Sequence, residues 1–373
     1  MRYVFSLTFL FFCTVIYSQS PTCGLADAVG QSQTRFVNSK FALEITEAEK
    51  AIARLMQERN IPGLSVAVAT KNDIIWAEGF GYSDLENKVP VRINSKFRIG
   101  SISKTLTSLA VGKLIETNQV ELSDDIRKYV PYFPVKKHPV SIGQLASHVA
   151  GIRDYNYTNG EYLSNKNYES VQESVDVFKA DSLLFEPGTE YLYSTYGYVL
   201  LSAAIEGITQ MNFTDFMRDS ILIPLNLNNT LPDFNYAIIE NRVRFYDEFG
   251  GTIINSYSVD NSNKWAGGGY LSTPLDLVHL YQGLDKFLKE STIHKLWTPA
   301  TLKNGGHTNY GIGWRIDRDN SNRTYVHHGG SSVGGRSFLL VYPDEEISIA
   351  LVCNLGGGFD QEFVLKIAEI FLK

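Results

Sequence analysis

The sequence predicts an α+β fold: one antiparallel sheet built from N- and C-terminal strands, flanked by helices, with a mainly helical subdomain inserted at roughly 120–260. Three observations predict it. Near the start, residues 64–69 and 74–78 are apolar or alternating runs parted by Lys71-Asn72-Asp73, the pattern of a β-hairpin. Near the end, four more such runs follow one another, 310–316, 324–328, 337–342 and 347–353, with turn residues between. Between the two groups the apolar spacing is helical and the loops are long.

Taken in order, residues 1–18 read as a cleavable signal peptide. Arg2 precedes an almost unbroken apolar stretch, 4–16, and small residues at Ser18 and Ser20 offer cleavage sites just before Gln19. The stretch is too short to span a bilayer comfortably. It therefore predicts a secreted or periplasmic protein with no stable membrane span in its mature form. Residues 19–40 are polar and small, a loose lead-in to a single domain over 41–373. The first helix covers 41–59 and stops at Asn60-Ile61-Pro62-Gly63. A turn-rich loop through Gly79, Gly81 and Pro90 then leads to Ser101. Residues 140–148 form a short helix closed before Gly151, with His148 as a structural cap. Helices are expected at 198–208, at 212–222 before Pro224, at 275–287 behind the Thr273-Pro274 start signal, and at 361–372.

The chain has 373 residues and a formal net charge of -6, without a basic block or stripe. That excludes nucleic acid as an expected partner. The Cys and His residues show no metal-ligand spacing, so neither a metal nor a cofactor is expected. Cys13 leaves with the leader. Cys23 and Cys353 leave a disulfide open, and Ser20-Pro21-Thr22 is a poor lead-in for lipid attachment at Cys23.

The stretch that can carry chemistry is Ser101-Ile102-Ser103-Lys104. Apolar residues at Ile102, Leu106, Leu109, Ala110 and Leu114 place it at the opening of a helix, so Lys104 lies one turn beyond Ser101 on the same face. A serine hydroxyl is protonated at neutral pH and needs a base within hydrogen-bond reach before it attacks a carbonyl. A lysine serves only if burial lowers its pKa. Ser-x-x-Lys alone is a frequent chance pattern. Its weight comes from Tyr193-Ser194-Thr195 and His328-Gly329-Gly330-Ser331, which follow it in that order.

With Ser147-His148-Val149-Ala150-Gly151-Ile152, Phe185-Glu186-Pro187-Gly188 and Ala266-Gly267-Gly268-Gly269, these motifs resemble the serine β-lactamase and penicillin-binding-protein superfamily. The resemblance is to its class C-like branch, with esterases and D-aminopeptidases. It covers about residue 42 to the end and is strongest to the mitochondrial serine β-lactamase-like proteins of animals. Gly197-Tyr198 and Val259-Asp260-Asn261 through Lys264-Trp265 carry that part. The leader differs, being secretory rather than Arg-rich.

The resemblance implies a β-lactamase/transpeptidase-like fold and a serine hydrolase acting on a small-molecule ester, amide or peptide. Ser101 would be acylated, with Lys104 and Tyr193 sharing the proton and the tyrosine acting as phenolate or relay. The N–H groups of Ser101 and Ser331 would form the oxyanion hole, and Gly329 and Gly330 would let that strand approach the substrate. Two positions depart from the family pattern. Thr195 stands where an asparagine is usual, and His328 where many relatives have a lysine that grips a substrate carboxylate. An imidazole near its reference pKa is mostly neutral at pH 7. Both changes point away from efficient β-lactam hydrolysis. The alternatives are a D,D-peptidase or β-lactamase acting on cell-wall-type substrates, or a non-catalytic penicillin-binding-like protein. The last would be marked by loss of Ser101, Lys104 or Tyr193, and all three are present.

Overall fold

Strand-forming runs from the two ends of the chain meet in the middle of one sheet. The computed structural model describes residues 35–372, so the signal-peptide stretch, most of the lead-in, Cys13 and Cys23 lie outside the described residues. The sheet has eight strands: β1 (Arg35–Val37), β2 (Gly63–Thr70), β3 (Ile74–Asp84), β4 (Val89–Pro90), β5 (Arg315–Arg318), β6 (Thr324–Ser332), β7 (Gly335–Tyr342) and β8 (Ile347–Cys353). Their spatial order is β1-β3-β2-β8-β7-β6-β5, with β4 against β3. Every pairing is antiparallel. The two chain ends join where β2 meets β8, with Val66 opposite Leu351 and Ala67 opposite Ala350.

Six helices matter for the site: α1 (Ala42–Glu58), α2 (Ser103–Glu116), α3 (Thr195–Thr209), α4 (Trp265–Gly268), α5 (Pro274–Phe287) and α6 (Gln361–Phe371). Successive strand residues point to opposite faces, and β7 shows the consequence. Phe338, Leu340 and Tyr342 share one buried cluster with Ile45 and Ile52 of α1 and Ile367 and Phe371 of α6. Leu339 and Val341 belong to the other, with Leu106 and Leu109 of α2 and Leu277 and Leu280 of α5. Each fully buried side chain of this size contributes about 1.5–3 kcal/mol relative to exposure. The sheet is therefore held from both sides, and α2, which follows Ser101, is fixed to its inner face.

Several boundaries differ from expectation for local reasons. The strand expected at 310–316 is confined to Arg315–Arg318. Gly313 has φ +79°, and a Cβ there would lie 2.6 Å from the Lys104 carbonyl oxygen, so 310–314 crosses beneath α2 as a loop. Trp314 Nε1 donates to Ser108 Oγ at 3.0 Å and anchors that crossing. Helix α3 begins three residues early because the Ser194 hydroxyl accepts from the Gly197 N–H at 3.1 Å. The helix expected over 212–222 is α-helical at Phe213–Met217 and π-helical at Arg218–Leu222. Strand β6 runs on through Gly329 and Gly330 to Ser332. Cys353 is a buried free thiol, its pKa pushed up to about 12 by burial. No helix among the described residues is long and apolar enough to cross a membrane.

Candidate active site

Ser101 stands on a 3-10 turn, Gly100–Ile102, that feeds directly into α2. The turn is wedged against β6. A Cβ on Gly330 would lie 2.0 Å from the Ile99 carbonyl oxygen, and a Cβ on Gly100, whose φ is +47°, would lie 2.6 Å from that of Ser331. Only residues without a side chain let these backbones touch. Ser337 Oγ donates to the Ile99 carbonyl at 2.7 Å and fastens the turn to the sheet. The backbone of Ser331 thus runs alongside the turn that carries Ser101.

Lys104 is 0 % exposed. Its Nζ donates to the Gly267 carbonyl at 2.6 Å, to Ser101 Oγ at 3.2 Å and to Thr195 Oγ1 at 3.4 Å. Burial pulls its pKa down to about 7, with Asp154 opposing and Arg315 adding to the fall. The Tyr193 ring lies 4.7 Å from the same nitrogen. Burial pushes the Tyr193 phenol well above its usual range, although Ser101 nearby opposes the rise. Its hydroxyl makes no hydrogen bond of normal geometry among the described residues.

Two histidines pack around this tyrosine. His148 has φ +61° just beyond the short helix Ile142–Ala146, and its ring lies 4.2 Å from that of Tyr193. Its Nδ1 accepts from the Ser194 N–H at 3.1 Å, so beyond closing the helix it orients the Tyr193-Ser194-Thr195 segment. His328 points to the same side. Its Nδ1 donates to the Gly329 carbonyl at 2.7 Å, which fixes the tautomer, and its Nε2 accepts from the Tyr310 hydroxyl at 2.8 Å. Burial and then the Lys104 cation hold His328 well below the usual imidazole range. It is neutral at pH 7 with both nitrogens engaged.

This cleft of about 630 Å3 is also lined by Asp154, Arg315 and Arg336, which the sequence reading did not pick out, and by Asn261 and Lys264, which it named within a family-like run without giving them a role. Asp154 accepts the Thr195 N–H at 2.8 Å. Arg315 is opposite His327 in the β5–β6 register, and its guanidinium lies 5.6 Å from the Tyr193 ring and 5.4 Å from the Tyr310 ring. Arg336, opposite Ser331, donates to the Ser331 hydroxyl. Neither arginine has an ion-pair partner among the described residues. Lys264 lies within the run from Val259 to Gly269 that carried part of the resemblance, a signal that included the residue but gave it no function. Arg315 carried no local signal at all. Among the described residues no group of three or more His, Cys, Asp and Glu side chains is arranged to hold a metal ion.

A family model described as Beta-lactamase matches residues 48–369. The chain belongs to the β-lactamase family. Within that family it is 30 % identical to the serine beta-lactamase-like protein LACTB, mitochondrial, of Homo sapiens, across 89 % of this chain and 80 % of the relative. Its fold matches that of the octameric penicillin-binding protein homologue from Pyrococcus abyssi with a TM-score of 0.77, at 24 % identity over 88 % of this chain and 77 % of the other. A D-stereospecific amidohydrolase from Streptomyces sp. matches with a TM-score of 0.71, at 22 % identity over 87 % and 97 % of the two chains. These β-lactamase-family likenesses accord with the mixed helix and antiparallel-sheet architecture described above.

Proposed function

We propose that this β-lactamase-family protein cleaves small esters or peptide and amide bonds through an acyl-enzyme on Ser101. The observation that carries the reading is Lys104, buried, 3.2 Å from the Ser101 hydroxyl and with a pKa of about 7. An ammonium there has three acceptors around it. Once neutral, it keeps a donor on the Gly267 carbonyl, which can only accept, and turns its lone pair to a hydroxyl. Ser101 is the nearer of the two hydroxyls.

Ser101 Oγ bonds to the carbonyl carbon while its proton passes to Lys104, and the carbonyl electrons move onto oxygen. The N–H groups of Ser101 and Ser331 receive that oxyanion. Collapse expels the alcohol or amine, which takes a proton from Tyr193 as Lys104 returns one to the phenol. Tyr193 is too hard to ionise to serve as a standing phenolate, so its part is the relay. Water then attacks the acyl carbon, its proton leaving by the same route, and the acid departs with Ser101 restored. Neutral His328 offers a β-lactam carboxylate no charge where many relatives have a lysine, and Thr195 offers no amide, which weighs against efficient β-lactam hydrolysis. A second reading, cell-wall-type peptides, is favoured by Arg315, a cation in the cleft beside Tyr193 without an ion-pair partner among the described residues. Export rests on residues 1–18, and the mature chain is expected to begin near Gln19.

The test is covalent. A fluorophosphonate probe is expected to add once, on the peptide containing Ser101, and p-nitrophenyl acetate hydrolysis to fall at least a thousandfold in Ser101→Ala. Labelling or turnover that survives the substitution removes the reading. Nitrocefin cleavage faster than every ester and amide tested replaces it with a β-lactamase.

A further inference from the structure

The cleft contains a second buried lysine that the reaction above leaves unused. Lys264 is 6 % exposed and lines the same cavity as Ser101. Its ammonium makes one hydrogen bond, 3.3 Å to the Tyr162 carbonyl, and lies 5.1 Å and 5.4 Å from the ring centres of Tyr162 and Tyr155. An ammonium carries three donors, so two have no protein acceptor among the described residues. A charge buried without a partner is strongly unfavourable. No ion pair within the described residues relieves that cost. Among the described residues the nearby carboxylates are turned to other donors, Asp154 to the Thr195 N–H, Asp260 to the Ser262 N–H and Asn167, and Asp233 to Arg98 and Asn261, and none forms a salt bridge with Lys264. These carboxylates still act at a distance. Burial and Arg98 bring Lys264 down only to about 8, so it stays protonated at neutral pH.

The surroundings point the same way. The chain is acidic overall, at -6, yet Lys264, Arg315 and Arg336 line this cleft against one carboxylate, Asp154. A cleft lined by one sign of charge concentrates ligands of the other. The two walls can be told apart. Arg315 lies against Tyr193, the residue that protonates the leaving group, so that wall receives the leaving group. Lys264 packs against different rings, Tyr155 and Tyr162, just before α4.

We propose that Lys264 is a specificity residue that binds a carboxylate carried on the acyl portion of the substrate. The preferred substrates are then half-esters and half-amides of short dicarboxylic acids, or amides of acidic acyl groups. This rests on the acyl-enzyme reading at Ser101, and the test separates the two. Mono-p-nitrophenyl glutarate and p-nitrophenyl butyrate share a leaving group and differ in the terminal carboxylate. Wild type is expected to favour the glutarate at least tenfold in kcat/KM, and Lys264→Met to lower that ratio at least tenfold, with the change in KM. Lys264→Arg, which keeps the charge, is expected to restore part of the ratio. Turnover without preference in wild type, or an unchanged ratio in Lys264→Met, overturns the proposal and leaves the Ser101 reading standing. If neither ester is cleaved, the Ser101 reading fails, and calorimetry with succinic acid monoanilide against butyranilide decides the present one. Binding that needs the carboxylate and is lost in Lys264→Met supports it; equal binding of the two anilides overturns it.

Discussion

Burial sets the low pKa of Lys104, and two charged neighbours adjust it: the Asp154 carboxylate opposes the fall and the Arg315 guanidinium adds to it. Only the neutral amine accepts a proton, so kcat/KM for a neutral ester is expected to rise with pH through an apparent pKa near 7. The two charged neighbours then act with opposite signs. Removing the Asp154 anion makes the ammonium less favourable, so Asp154→Asn is expected to move the acid limb to lower pH. Removing the Arg315 cation relieves repulsion, so Arg315→Met is expected to move it to higher pH. Rate profiles between pH 5 and 9 read both shifts. Two shifts in the same direction, or none, would mean that some group other than Lys104 governs the limb.

Among the elements, β6 decides whether the site is assembled, because its glycines set how closely Ser331 approaches Ser101. A methyl on Gly330 would meet backbone, 2.0 Å from the Ile99 carbonyl oxygen, so the strand must retreat. A methyl on Gly329 would press on the Phe338 ring, at 3.2 Å, and meet backbone only at the ordinary contact distance of 4.0 Å. A misplacement of about 1 Å at a reacting centre costs on the order of a hundredfold in rate. Gly330→Ala is therefore expected to lower kcat about a hundredfold or more and to lower the melting temperature, whereas Gly329→Ala does much less. Comparable losses in the two would show that the approach of β6 to the turn is not what matters. The same strand shows what was legible beforehand. Periodicity revealed β6, β7, β8 and the β2–β3 hairpin, because each follows a local alternation of side chains. The helical spacing after Gly100 revealed Ser101 and Lys104. Arg315 was invisible and Lys264 was seen only as part of a family-like run without a role, since Arg315 reaches the cleft through pairing with His327 and Lys264 through a fold that brings Tyr155 and Tyr162 to it. Neither depends on anything near it in sequence. The early start of α3 was a local signal passed over, a serine cap at Ser194.

Across the whole molecule, the double-sided core that holds the sheet rigid is also what forces a lysine to live without water, and that links function to stability. In the unfolded chain Lys104 has the ordinary pKa of about 10.4; in the folded protein it is about 7. Below pH 7 both states hold the proton and the full cost of burying the charge is present. Between 7 and about 10.4 the unfolded chain binds more protons than the folded one, so stability rises with pH, by up to about 1.4 kcal/mol per unit from this group. Above that range the cost is gone. Lys264, lowered to about 8, adds the same sign over a narrower window. Other groups titrate too, but they largely cancel when wild type is compared with a variant lacking only Lys104. Lys104→Met is thus expected to be inactive and yet more stable than wild type at pH 6, with the advantage shrinking steadily toward pH 10. Urea midpoints at pH 6, 8 and 10 measure it. An advantage that stays constant across that range would mean that Lys104 titrates where an exposed lysine does. It would then be almost wholly protonated at neutral pH, and the base assigned to Ser101 would be lost.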